Sequence, residues 1–221
     1  MRFLFSFLVV ALSLAFVITA IIYLLKRALS DVSFPAPSSA SFQTVLEELR
    51  QHIKGLIPAL VPWDEEMFSL LSLHQQPARQ KGGPRGITSG YLMSIFQEPV
   101  VAFATRQWGK QKIVVARLVD REFVYRIKEK DAEIWLNGEP FAVFSNQALL
   151  SPDKSARVLA RLEERAEERY SELVLAEGRT VSLANRKKAV GPNPRAAVLV
   201  KDLTRKEEDT ALAVALLRLL A

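Results

Sequence analysis

Cysteine is absent from this chain of 221 residues, and histidine occurs only twice, at His52 and His74. The first absence excludes disulfides, thiolate metal sites and cysteine nucleophiles, and the second argues against a histidine-built metal centre. Missing too are the GxSxG turn of an exposed serine nucleophile and the GxxxxGK[ST] and GxGxxG loops that cradle phosphates. An excess of one charge is nearly lacking. Arg2, Lys26 and Arg27 stand in the first thirty residues without an acid, so of the 30 basic and 24 acidic residues the remainder holds 27 and 24. A domain near +3 has no electrostatic footprint for nucleic acid, and no nucleic-acid partner is expected. Carboxylates do cluster, at Glu65/Glu66, Glu163/Glu164, Glu167/Glu168 and Glu207/Glu208, but sequence neighbours on a helix do not converge on one point. In EERAEER they alternate with arginine, as on a solvated, ion-paired surface. The composition therefore points away from an enzyme, with no catalytic, cofactor-binding or metal-ligating residue to name and no cofactor expected.

What the chain does have is a long apolar run. Residues 3–25, FLFSFLVVALSLAFVITAIIYLL, carry no charge and can cross a bilayer with some tilt. With Lys26 and Arg27 they form an anchor over residues 1–27 and make the membrane the first expected partner. A cleaved signal peptide is the alternative, but its apolar region spans about 7–15 residues and this run is longer. Two side-chain cations follow the run and one precedes it, which by the positive-inside rule favours a single-pass protein with a cytoplasmic domain. The Arg- and Ala-rich composition has a bacterial character.

Residues 28–44 are rich in Ser, Ala and Pro and read as a linker. A helical segment over 45–73 follows. Its first helix spans about residues 41–57, with Val45, Leu46, Leu49, Ile53 and Leu56 at helical spacing, and Trp63-Asp64-Glu65-Glu66 opens a second helix. Residues 74–90 hold four glycines, two prolines, Arg79, Lys81 and Arg85 and no acid, and are expected to be a basic loop.

From Tyr91 short strands succeed one another with turn residues between them, Trp108-Gly109-Lys110 and Asn137-Gly138-Glu139-Pro140 among them. In REFVYRIK, Phe123, Tyr125 and Ile127 share one face and Val124, Arg126 and Lys128 the other, the pattern of a half-buried strand. Residues 152–169 fit either a helix begun by Ser151-Pro152-Asp153 or a strand through RVLARLE. YSELVLAEG and RTVSLANR pair as a hairpin, and AAVLVKDL is a further strand. The last thirteen residues, DTALAVALLRLLA, are apolar on nearly every side of a helix, yet about 18 Å long against a hydrocarbon core of about 30 Å. Such a helix must be wrapped by protein. The fold class is therefore α+β, mainly antiparallel β: an N-terminal transmembrane helix, then a barrel-like sheet of nine or ten strands over 91–221 around the C-terminal helix. A sandwich with the helix on one open face is the alternative. A filled barrel leaves no room for a lipocalin-type ligand, and Arg218 must reach a rim or an acid.

This succession of short strands from Tyr91 to Leu203, closed by the acid-led helix from Asp209 to Leu217, resembles the tubby C-terminal-domain-like superfamily, which includes phospholipid scramblases and LURP-one-related proteins. The resemblance covers about 130 residues and implies a twelve-stranded barrel around a central helix, with a tendency to engage membrane phospholipid. It transfers no catalytic residue. The chain departs from the scramblases in lacking their cysteine cluster and an acidic calcium-binding run, and in carrying its anchor at the N-terminus, so scrambling activity is not carried over.

The function expected is that of a membrane-anchored, non-enzymatic module contacting anionic phospholipid through two acid-free basic stretches. The candidates are Arg79, Lys81 and Arg85 in one stretch and Arg186, Lys187, Lys188 and Arg195 in NRKKAVGPNPR. Near an anionic bilayer each such residue is worth about 1 kcal/mol. The alternative is a protein-interaction or assembly factor of the cell envelope, with another envelope protein as partner.

Overall fold

A computed structural model describes residues 40–64, 66–78, 86–164, 168–198 and 203–221. The transmembrane reading of residues 3–25 lies outside these. Among the described residues no helix is long and apolar enough to cross a membrane. The unit Val45–Ala221 is compact and holds the whole sheet.

Helix α1 (Ala40–Lys54) leads through a 3-10 turn (Ile57–Ala59) to a single helical turn, α2 (Met67–Leu70). Asp64 prepares that turn, its carboxylate accepting from the backbone N–H groups of Glu66 and Met67 at 3.0 and 2.9 Å. Twelve strands follow: β1 (Leu71–Pro77), β2 (Ile87–Ser94), β3 (Pro99–Trp108), β4 (Gln111–Arg117), β5 (Glu122–Lys128), β6 (Asp131–Leu136), β7 (Glu139–Ser145), β8 (Ala148–Leu150), β9 (Val158–Glu163), β10 (Tyr170–Leu175), β11 (Thr180–Ala184) and β12 (Ala197–Val198). They hydrogen-bond in sequence order as one antiparallel sheet. The two ends of the sheet meet. The Leu73 N–H donates to Pro194 O at 2.9 Å, the Ala196 N–H donates to Leu71 O at 2.7 Å, and Ser72 bridges Arg195. The sheet is thereby nearly closed into a barrel, which removes its free edges.

Helix α3 (Arg205–Leu220) fills it. From Thr210 to Leu217 every residue is buried, none more than 6 % exposed, and inward side chains from β1 to β12 form one apolar cluster with it. Leu92, Val101, Val114, Phe123, Ile134, Leu173 and Val181 are among them. Tyr125 donates its hydroxyl to the Ala213 carbonyl at 3.1 Å, and its burial pushes the phenol well above its ordinary pKa. The helix apolar on all sides is thus surrounded by sheet, and the sandwich alternative falls.

Four local readings change. The sheet has twelve strands, not nine or ten. Leu71–Pro77 is strand, not the end of a helical segment and the start of a loop, because its backbone is shared between β2 and the 194–196 segment. Residues 158–163 are strand and not helix: β8 and β10 flank them and Leu162 points into the core, while Ala156 at φ 45° breaks the chain direction after Pro152. Strand β5 is buried on both faces, so the half-buried reading of REFVYRIK fails. Its outer face lies under α1, where Arg50 pairs with Glu122 at 2.7 Å and Glu48 with Arg106 at 2.5 Å. Outward Ile113, Val115 and Val124 are buried in that layer with Val45, Leu46, Leu49 and Ile53 of α1. Strands covered on both sides read as apolar runs without alternation, as in KIVVA. The Asn137-Gly138 turn is a left-handed pair, φ 52° and 89°, as a tight hairpin requires.

Candidate functional site at the barrel mouth

The central helix gives the barrel two different ends. Its N-terminus is sealed by ion pairs. Thr204 and Glu207 form a capping box, with the Thr204 N–H donating to Glu207 at 2.8 Å. Arg121, 1 % exposed, pairs with Asp209, with Glu208 at 3.0 Å and with Asp120 at 3.2 Å, and lies over the Trp63 ring. Trp63 Nε1 donates to Glu208, Arg205 pairs with Asp120 at 2.5 Å, and Arg179 with Glu207 at 3.1 Å. Burial pushes the Asp209 carboxyl up against the pull of Arg121. Burial acts the same way on Asp120, but hydrogen bonds from Arg205 and Arg121 outweigh it and hold that carboxyl down. Hydrogen bonds from Thr204 lower Glu207. The acids sit where the helix dipole favours them and pair with the arginines around them, while Glu207 Oε1 is buried without a hydrogen-bond partner.

The C-terminal end is built differently. Gln75 Nε2 donates to Leu219 O at 2.5 Å and Lys112 Nζ donates to Leu220 O at 2.6 Å, covering two of the carbonyls a helix leaves unpaired. Burial lowers the Lys112 ammonium below its ordinary value. At this end β1 lies so close to β2 that only glycine fits at position 90: a Cβ there would stand 2.4 Å from Gln76 O and 2.9 Å from Pro77 Cα.

Two cavities open here. The larger, about 520 Å³, has apolar walls of Ile127, Ala132, Phe144, Leu162 and Leu217 and a rim that includes Glu129, Lys130, Gln147 and Glu164. The smaller, about 150 Å³, lies among Leu73, Leu183, Ala215 and Leu219 with Asn185, Arg186 and Lys187 at its edge. Arg218 lines both. Its Nη1 is buried without a hydrogen-bond partner, and burial lowers the guanidinium while the charge of Glu164 opposes that shift. The rim or acid that the sequence demanded for Arg218 is therefore a cavity wall.

The seven sequence candidates divide three ways. Arg79, Lys81 and Arg85 lie outside the described residues, but the strands on either side of them, β1 ending at Pro77 and β2 starting at Ile87, reach this same mouth. Arg186, Lys187 and Lys188 form an exposed 3-10 turn there, capped by the Asn185 side chain, which accepts from the Lys187 N–H at 3.2 Å. Among the described residues none of the three makes an ion pair. Val190, two positions on, is 73 % exposed. Arg195 belongs to the barrel seam opposite Ser72 and lines neither cavity. Sequence reasoning missed Gln75, Lys112, Glu129 and Lys130, which come together because alternate hairpin turns end at one mouth. Only Arg218, the lone charge late in an apolar helix, had a signal. Among the described residues no group of three or more acids and histidines could hold a metal. No protein-family model, curated protein or solved structure matches this chain.

Proposed function

We propose that this chain is a membrane-tethered, non-enzymatic module that sets the C-terminal mouth of its barrel against anionic phospholipid. The observation carrying this reading is the exposed, acid-free turn Arg186-Lys187-Lys188 with Val190 beside it, at the end of the barrel to which the strands flanking Arg79, Lys81 and Arg85 also run. Cations near an anionic surface contribute about 1 kcal/mol each, and an exposed apolar side chain among them can enter the interface. The run at residues 3–25 supplies the tether.

The absence of cysteine permits a direct test. The full chain carrying Val190→Cys, labelled with an environment-sensitive fluorophore and reconstituted into vesicles, should show a lipid-shielded probe in phosphatidylserine-containing bilayers and an aqueous one in phosphatidylcholine. Shielding should fade as salt rises. Replacing Arg186, Lys187 and Lys188 by Gln should weaken the contact about a hundredfold, from roughly 3 kcal/mol. A probe at Phe96, in the turn after β2, should stay aqueous. Equal signals in both lipids, or shielding at Phe96 instead, would overturn the reading and leave protein interaction as the module's role.

A further inference from the structure

The larger cavity raises a separate question, because a barrel filled by its own helix has no need of a hollow beside Arg218. Its volume, about 520 Å³, lies in the range of small-molecule sites, which are mostly apolar with a few polar groups that fix orientation. Arg121 and Arg126, the two buried arginines among the described residues, each pair with a carboxylate. Arg218 has none: Glu164 acts on it through charge alone and makes no ion pair with it, its Oε2 accepting instead from Gln147 at 3.4 Å. A half-buried guanidinium held in no ion pair is left with part of its desolvation cost uncompensated, so a ligand that supplies a paired charge gains that energy on binding.

We propose that this cavity binds one molecule of a single-chain carboxylate amphiphile. Its carboxylate pairs with the Arg218 guanidinium, which lines the cavity, and its alkyl chain lies along Ile127, Phe144, Leu162 and Leu217. A carboxylate matches the planar guanidinium fork. The side-chain charges of the lining, Glu129 and Glu164 against Lys130 and Arg218, sum to zero, so a monoanion is opposed less than a phosphate dianion. The carbonyls at the helix C-terminus would repel an anion too, but Gln75 and Lys112 cover those of Leu219 and Leu220. Arg186 and Lys187 on the neighbouring cavity add positive potential at Arg218. This site takes a single molecule at a half-buried cation, whereas bilayer docking uses exposed turn cations, so either can fail alone.

The test is thermal unfolding of the full chain in amphipol, without vesicles, followed by tryptophan fluorescence in the presence of dodecanoate, dodecanol or dodecyl phosphate. At about a hundredfold excess over its Kd, dodecanoate should raise the midpoint by roughly 5 °C or more. Dodecanol and dodecyl phosphate should raise it by less than half of that. Arg218→Gln, which breaks no ion pair, should erase the advantage of dodecanoate over dodecanol. Ile127→Trp, a half-buried position on the cavity wall, should abolish the gain by filling the space. Equal shifts for dodecanoate and dodecanol, a gain that survives both variants, or no shift at all would overturn the proposal. A larger shift with dodecyl phosphate would overturn the carboxylate assignment.

Discussion

Two arginines show how the same side chain is treated oppositely at the two ends of one helix. Arg121 is buried and meets three carboxylates and an indole face; Arg218 is half-buried and meets a cavity. Removing one member of a buried charge network leaves the others uncompensated, so Arg121→Ala should cost about 3–5 kcal/mol in urea unfolding. The same variant should move the Asp209 titration further above its ordinary range, since Arg121 is what opposes burial there. An acid whose folded pKa is raised weakens the fold while ionised, so this penalty is present at neutral pH and is relieved as pH falls through its folded value. Arg218→Gln, by contrast, should leave the stability of the unliganded chain unchanged or raised, because no partner is stranded. A loss at Arg218 equal to that at Arg121 would contradict the contrast.

At the scale of elements, the central helix is stabilised by its cap and by the sheet around it. The capping box joins Thr204 and Glu207, and Thr204→Ala should cost about 1 kcal/mol. Hydrogen bonds from Thr204 lower the Glu207 carboxyl, so its contribution is present above the unfolded value near pH 4.3 and is lost as pH falls through the folded value. Alanine keeps the backbone N–H that lowers Glu207 most and loses only the hydroxyl, so the gap between the parent and Thr204→Ala curves should narrow, not close, as pH falls below the unfolded value, and parallel curves would show that the hydroxyl is not linked to this carboxyl. Strands follow the same logic of surroundings. β10 and β11 alternate in burial because one face meets solvent, whereas β3, β4 and β5 are buried on consecutive residues because α1 covers their outer side. The hairpin of β10 and β11 was legible in the residues, whereas the alternation in REFVYRIK pointed to a solvent-facing side that a helix distant in sequence covers.

For the whole molecule, the order of the chain matters. The Val45–Ala221 unit closes its sheet between β1 and the 194–196 segment, and the helix that fills it comes last. Leu212, Val214, Leu216, Leu217, Leu219 and Leu220, at about 1.5–3 kcal/mol each, match the entire stability of about 5–15 kcal/mol of an ordinary domain. A chain lacking residues 205–221 should give no cooperative unfolding transition by circular dichroism, and a native-like transition would show that the sheet stands without its filling. Much of this was legible in the residues alone. Patterning gave the antiparallel hairpins, the turns at Gly109 and Asn137-Gly138, and a terminal helix that had to be enclosed, because those signals depend on neighbours two to four positions away. The number of strands, the strand at 71–77 and the resolution of residues 158–163 as strand depended on partners far along the chain, whose hydrogen bonds no local pattern carries. The mouth was hidden for the same reason. Sequence singled out Arg218 as a charge in the wrong place and the 186–188 run as basic, but closure of the sheet alone brought them together with Gln75, Lys112 and Lys130, since alternate turns of an antiparallel barrel converge on one end only after its two edges have met.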